Sequence, residues 1–288
     1  MNKVRWYIKS LGIVERNRRN WVAKLGVGKS VGFYPRVGAW YARRFVTQSK
    51  SMKYLGRNFT YDSPATPFNL GLYQGEVGYQ ILGHVDARSS IRRVLDIGGN
   101  LGQFAVTVKH VLPHAEVDTF EPNTEVLPYL RENTKDVPGI HVYPYGVGPE
   151  SSPDTLYFEP NRSGFGSLLP ANSGGGVWAG AVEVPIKIIS DVPAVTGHDQ
   201  YDLVKIDVEG FEANVVRALA GVRIRYLYIE LSSRVRDKDY RHSELFDMLR
   251  RQFGEFDILS QEQFGGTDIY FNMLLEFFEP ASDGGSGT

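Results

Sequence analysis

From Ile91 onward the chain alternates short, nearly unbroken apolar runs with longer stretches of helical periodicity, and this most narrows what it can fold into. The runs Arg93–Ile97, Glu116–Glu121, His141–Gly146, Leu203–Asp207, Tyr226–Leu231, Phe256–Leu259 and Tyr270–Phe277 have the length and continuity of strands buried on both faces. Helical spacing fills 102–111, 124–133, 211–219 and 243–252. Parallel strands need such crossovers, so the pattern predicts an α/β fold with a Rossmann-like, seven-stranded, mostly parallel sheet. The last two runs lie too close together for a crossover, which predicts a reversed edge strand. Leu156–Phe158 and Val182–Ile188 read as an inserted strand pair around a Gly/Ser-rich loop, Asn161–Gly176. Pro128 falls inside the second helical stretch and should delay its start or kink it.

Three segments are expected: 1–70, basic and aromatic-rich with helical spacing; 71–280, the α/β domain with an insertion at about 150–190; and a disordered tail, 281–288. The net charge of −1 hides a strong asymmetry, since residues 1–60 hold fourteen Lys and Arg against one acid, Glu15. That segment therefore carries +13 and the remaining 228 residues −14. A basic segment with Trp6, Trp21 and Trp40 is drawn to an anionic membrane surface or to the acidic remainder of its own chain. No motif that reads nucleic acid is present. With no cysteine there is no disulfide framework or thiolate site. No apolar run reaches the roughly 20 residues of a membrane-spanning helix, and no signal peptide is recognised. The expected location is the cytoplasm, extending to the inner membrane surface.

The first strand runs into Asp96-Ile97-Gly98-Gly99-Asn100-Leu101-Gly102, a tight turn opening a helix. Glycines there let the backbone bend and a ligand approach closely. The G-x-G-x-x-G pattern of a dinucleotide site is absent, which argues against a nucleotide-dependent oxidoreductase, and there is no P-loop. Asp96 suits the amino group of a bound amino-acid moiety, or a purely structural turn. Glu121 ends the next strand in Phe120-Glu121-Pro122-Asn123, where a carboxylate can accept both hydroxyls of a ribose; the alternative is a solvated strand end, with Asn123 capping the helix. In Lys205-Ile206-Asp207-Val208-Glu209-Gly210-Phe211-Glu212 an apolar strand ends in charge. Asp207 and Glu209 should face the crevice at the carboxyl ends of the strands. Lys205, inside the strand, needs a carboxylate partner, and the alternative to catalysis is a pair that only holds the loop. Glu230 ends the following strand and adds another acid to the same crevice.

These residues resemble the FkbM-type S-adenosylmethionine-dependent methyltransferases. The resemblance covers about residues 72–231 through DIGGNLG, FEPN, YGVG, KIDVEGFE and the final IE of YLYIE, in matching order and spacing. It implies a class I methyltransferase fold with S-adenosylmethionine as cofactor. Asp96, Gly98, Gly99, Asn100 and Gly102 would border the methionine part, Glu121 with Pro122 and Asn123 the ribose, and Tyr145 and Gly146 the adenine, with Asp207 at the edge. Two positions depart from the pattern: Gly99 stands where the family often has Ala, and Pro149 where an acid often follows.

The resulting expectation is an O-methyltransferase acting on a hydroxyl of a sugar, glycan or glycolipid. The alternatives are a small natural-product acceptor, or a non-catalytic cofactor-binding module. A sugar hydroxyl is a poor nucleophile, so a base or a metal must help remove its proton. Asp207 or Glu209 is the candidate base, Lys205 its neighbour, and a magnesium ion held by Asp207 and Glu230 the metal alternative. The six histidines form no ligand cluster.

Overall fold

The computed structural model describes residues 51–61, 81–85, 90–158, 166–169, 178–192, 200–232, 242–264 and 270–278. The expected helical stretches before residue 50, most of the loop 161–176 and the tail lie outside the described residues.

The central sheet has seven strands: β3 (Arg93–Ile97), β4 (Glu116–Phe120), β5 (Ile140–Tyr143), β10 (Gln200–Ile206), β11 (Arg223–Ser232), β12 (Phe256–Phe264) and β13 (Tyr270–Phe277). Their order is β12-β13-β11-β10-β3-β4-β5. The pairs β4–β3, β3–β10 and β10–β11 are parallel, whereas β13 runs antiparallel to both its neighbours. The reversed strand therefore lies one place in from the edge rather than at it. Antiparallel pairing with β12 on one side and β11 on the other sets β13 between them.

Helices α1 (Gln103–Val111), α2 (Leu127–Thr134), α3 (Glu212–Ala218) and α4 (His242–Phe253) fall where the periodicity places them. Helix α2 starts only at Leu127, with Pro128 in its first turn, where a missing N–H costs nothing. Strand alternation sorts two cores. Leu95, Ile97, Val204, Ile206, Leu227 and Ile229 pack with Val215, Val216, Leu245 and Leu249. Val94, Val117 and Leu203 pack with Phe104, Ala105, Val108, Ile81 and Leu82.

The insertion is a second sheet of four strands, ordered β6 (Gly146–Val147), β9 (Gly180–Lys187), β7 (Pro153–Phe158), β8 (Gly166–Ser167). Its first strand begins two residues after β5, so the run read from sequence as one strand is split between two sheets. Residues 51–60, expected to belong to the helical N-terminal segment, form an antiparallel hairpin of β1 (Ser51–Tyr54) and β2 (Arg57–Thr60). Its Tyr54 and Phe59, with the following Tyr61, share a core with Leu101, Val106, Val126 and Val137. Apolar side chains on both strands of the hairpin thus find a face on α1 and α2, which favours strand pairing over the helical spacing of the preceding residues.

Candidate functional site

Register across the three middle strands places Lys205 (β10), Asp96 (β3) and Thr119 (β4) in one row. Period-two alternation turns all three to the α1 face of the sheet, beneath the Gly-rich turn. The Lys205 ammonium lies 3.2 Å from Asp96 Oδ1 and 3.4 Å from Asp207 Oδ2. It also donates to the Gly98 carbonyl at 2.9 Å and sits over the Phe104 ring. On the other side the Thr119 hydroxyl donates to Asp96 Oδ2 at 2.8 Å. Asp96 is wholly buried and Lys205 only 4% exposed.

Asp96 is buried, with one oxygen toward the Lys205 ammonium and the other accepting from the Thr119 hydroxyl, and from there it supports the turn from below. Lys205 joins the ends of two strands to the turn, because a charge at this depth is tolerated only when paired.

The turn follows. Gly98 and Gly99 both donate to the Phe120 carbonyl, at 3.0 and 2.9 Å, and Asp207 N–H donates to the Ile97 carbonyl at 3.1 Å. Gly98 has φ +89°, and a Cβ there would overlap the Asp207 carbonyl oxygen. A Cβ at Gly99 would overlap Thr119 Oγ1, the atom that donates to Asp96. The alanine that the family pattern tolerates at Gly99 is therefore not accommodated here without displacing Thr119. Asn100 carries φ +48°.

Glu121 stands at the end of β4. Its Oε2 accepts from Asn100 N–H and its Oε1 from Asn123 N–H, both at 2.8 Å. One carboxylate thus ties the Gly-rich turn to the next loop, and each oxygen retains a lone pair for a further donor. Burial raises its pKa from 4.5 to about 7, against the opposing pull of the two backbone N–H groups. Asn123 closes its own turn: its Oδ1 accepts from Glu125 N–H and its carbonyl from Val126 and Leu127. Gly146 abuts Pro122, so the expected adenine and ribose neighbours are brought together, with Tyr145 half-buried beside the core.

At the end of β10, Asp207, Glu209 and Glu230 bring carboxylate oxygens within 4.8 Å of one another, all partly exposed. This set could hold a divalent cation or take a proton. Glu209 has φ +50° and Gly210 φ +109°, an uncommon conformation outside glycine. The Ser167 hydroxyl of β8 donates to the Glu209 carbonyl at 2.8 Å and in turn accepts from Leu169 N–H at 3.1 Å. The insertion thereby reaches the acidic turn. Within the insertion Trp178 tilts against Tyr157, with ring centroids 6.4 Å apart.

Sequence alone missed Thr119 and Ser167. Thr119 shares the α1 face of β4 with Val117 and marks a polar row under the turn. Ser167, one of several serines in a Gly/Ser-rich loop, gives no comparable signal.

Residues 96–262 match the family described as the methyltransferase FkbM domain. Among curated relatives, "Methyltransferase 1" of Beauveria bassiana is 27% identical over 143 residues, 44% of this chain and 57% of that protein. "Methyltransferase sdnD" of Sordaria araneosa is 26% identical over 157 residues, 44% of this chain and 60% of that protein. The chain thus spans less than two thirds of the length of either relative. Among solved structures, Aeropyrum pernix fibrillarin in complex with S-adenosyl-L-methionine aligns with a TM-score of 0.45 and 12% identity, covering 80% of this chain and 83% of that one.

Proposed function

Since the chain belongs to the FkbM methyltransferase family, with S-adenosylmethionine as its cofactor, we propose that it transfers the methyl group to a hydroxyl of a sugar, glycan or glycolipid. The observation that carries this reading is the juxtaposition of the two halves of a transfer site. The Glu121-anchored Gly-rich turn is joined by Lys205 to Asp207, which opens the acidic turn. A donor bound at the first would present its methyl group toward carboxylates able to relieve an attacking hydroxyl of its proton.

The cofactor supplies a methyl carbon activated by the sulfonium it is bonded to. A hydroxyl placed in line with that carbon would take the methyl group as the sulfonium keeps its bonding electrons, and would give up its proton to Asp207 or Glu209. Products are a methyl ether and S-adenosylhomocysteine. The chain's own work is placement and exclusion of water. Glu121 would hold the ribose, the Gly98–Gly102 turn the methionine part, and Pro122 with Tyr145 and Gly146 the adenine. Asp207, Glu209 and Glu230 together are also suited to a magnesium ion that would lower the acceptor's pKa.

The test is transfer of labelled methyl groups to a panel of glycan, glycolipid and small natural-product acceptors. Asp207→Asn and Glu209→Gln should each keep S-adenosylhomocysteine binding, and the variant lacking the base should lose turnover by about 100-fold or more. Full turnover in either removes that residue from the role. Turnover that survives chelation of divalent ions removes the metal, and transfer only to nitrogen acceptors overturns the hydroxyl reading.

A further inference from the structure

Glu121 and Lys205 hold the Gly-rich turn from the sheet. The opposite side is held by a segment that the family match, beginning at residue 96, does not include. Contacts from the β1–β2 hairpin converge there on one residue, Leu101. Asn133 of α2 donates through Nδ2 to the Leu101 carbonyl at 2.8 Å and to the Thr60 carbonyl at 2.9 Å. Its Oδ1 accepts from Thr60 N–H at 2.7 Å and from the Thr60 hydroxyl at 3.0 Å. A primary amide has two donor hydrogens and two acceptor lone pairs, and here all four are committed, three to the hairpin and one to the turn. From the other strand the Tyr54 hydroxyl meets Thr107 Oγ1 at 2.6 Å, and Thr107 donates to the Gln103 carbonyl at 2.6 Å. The Gln103 side chain accepts from Leu101 N–H at 3.1 Å. The Leu101 side chain, fully buried, shares its core with Tyr54, Phe59 and Tyr61.

The carbonyl and side chain of Leu101 are thus fixed by the hairpin or by a group bonded to it, and its N–H is held by Gln103, which Thr107 links to Tyr54. On either side of Leu101 lie Asn100 at φ +48° and Gly102 at φ +88°. Gly102 adopts the left-handed region freely, whereas Asn100, a non-glycine residue, is held there by its surroundings. Asn100 is also the residue whose N–H reaches Glu121. Loosening Leu101 would therefore loosen the turn and the ribose carboxylate together.

We propose that the β1–β2 hairpin braces the cofactor site and that Asn133 is its positioning residue, acting through the Leu101 carbonyl without touching the ligand. The inference rests on the Gly-rich turn being the S-adenosylmethionine site.

Calorimetric titration of S-adenosylhomocysteine into the full chain tests it, at a temperature well below unfolding. Asn133→Ala should weaken binding about tenfold, the loss of one buried positioning contact. Tyr54→Phe removes only a hydroxyl, keeps the ring packing and should weaken binding a few-fold, so the brace is testable even if the first variant folds poorly. Leu249→Ala opens a cavity under α4, and should lower the melting temperature without changing the dissociation constant of the folded protein. A purely structural role for Asn133 would give the Leu249→Ala behaviour, lower melting with unchanged affinity, and would overturn the proposal. Absence of binding to the wild-type chain would instead overturn the cofactor assignment beneath it.

Discussion

At the scale of single residues the site is organised by two buried ionisable groups with opposite tasks. Lys205 neutralises Asp96 where neither reaches solvent. Removing one partner of such a pair strands the other charge, at a cost of about 3–5 kcal/mol, whereas removing both costs much less. Lys205→Met should therefore lower unfolding stability in urea by about 3 kcal/mol. Lys205→Met with Asp96→Asn should recover part of that loss, and additive losses would show that the two do not act as a pair. Glu121 works differently. Its folded pKa, about 7, lies above the unfolded value of 4.5, so between those limits the native state holds a proton the unfolded chain has released. Stability accordingly falls as pH rises through that window, and the full penalty above it is about 3 kcal/mol. If Glu121 holds the ribose as proposed, hydroxyls donating to the carboxylate would favour its ionised form and lower that pKa. Binding of S-adenosylhomocysteine at about pH 6 should thus release protons, and affinity should climb with pH before levelling above about pH 7. Titrations in buffers of different ionisation enthalpy measure this directly. Affinity that is flat with pH, or release that persists in Glu121→Gln, would exclude Glu121 as the coupled group.

At the scale of elements, the tightest fit is between the Gly-rich turn and β4. The Cβ of Gly99→Ala would meet Thr119 Oγ1, whereas that of Gly98→Ala would meet the Asp207 backbone carbonyl. The first clash is removable and the second is not. Gly99→Ala should cost about 1–3 kcal/mol in denaturant unfolding, and markedly less in a Thr119→Ala background; no such background should relieve Gly98→Ala. This is also where sequence pattern reaches its limit. β3 and β13 were legible to the residue, because buried parallel strands and a paired hairpin strand keep unbroken apolar runs, and Glu121, Asp207 and Glu209 were legible because strand ends concentrate charge. The depth of Asp96 was not, since a carboxylate before a Gly-rich turn looks the same whether it points into the crevice or down onto a lysine directly opposite on the neighbouring strand. Nor was the hairpin at 51–60: four-residue strands that rely on α1 and α2 for their burial carry too short a period to stand out against the basic residues around them.

At the scale of the whole molecule, the sequence sets +13 on residues 1–60 against −14 on the rest, and the hairpin that closes this segment is seated on the Gly-rich turn. Among the described residues no helix is long and apolar enough to cross a membrane. Contact with a lipid surface would therefore rest on the basic charges and the tryptophans of the first forty residues, whose attraction to anionic headgroups is worth about 1 kcal/mol per cation near the surface and decays within a Debye length of about 10 Å at 0.1 M salt. The expected outcome is co-sedimentation with phosphatidylserine-containing vesicles at low ionic strength, release at about 1 M salt, and no binding to purely zwitterionic vesicles. Deleting residues 1–50 should abolish that binding yet leave S-adenosylhomocysteine affinity intact, because the hairpin remains. Deleting residues 1–61 should weaken the cofactor as well. Vesicle binding that survives the shorter deletion would move the contact onto the acidic catalytic body, where anionic lipid has no reason to go. Indifference to anionic lipid in the full chain would instead leave the basic segment to its own acidic partner within the molecule.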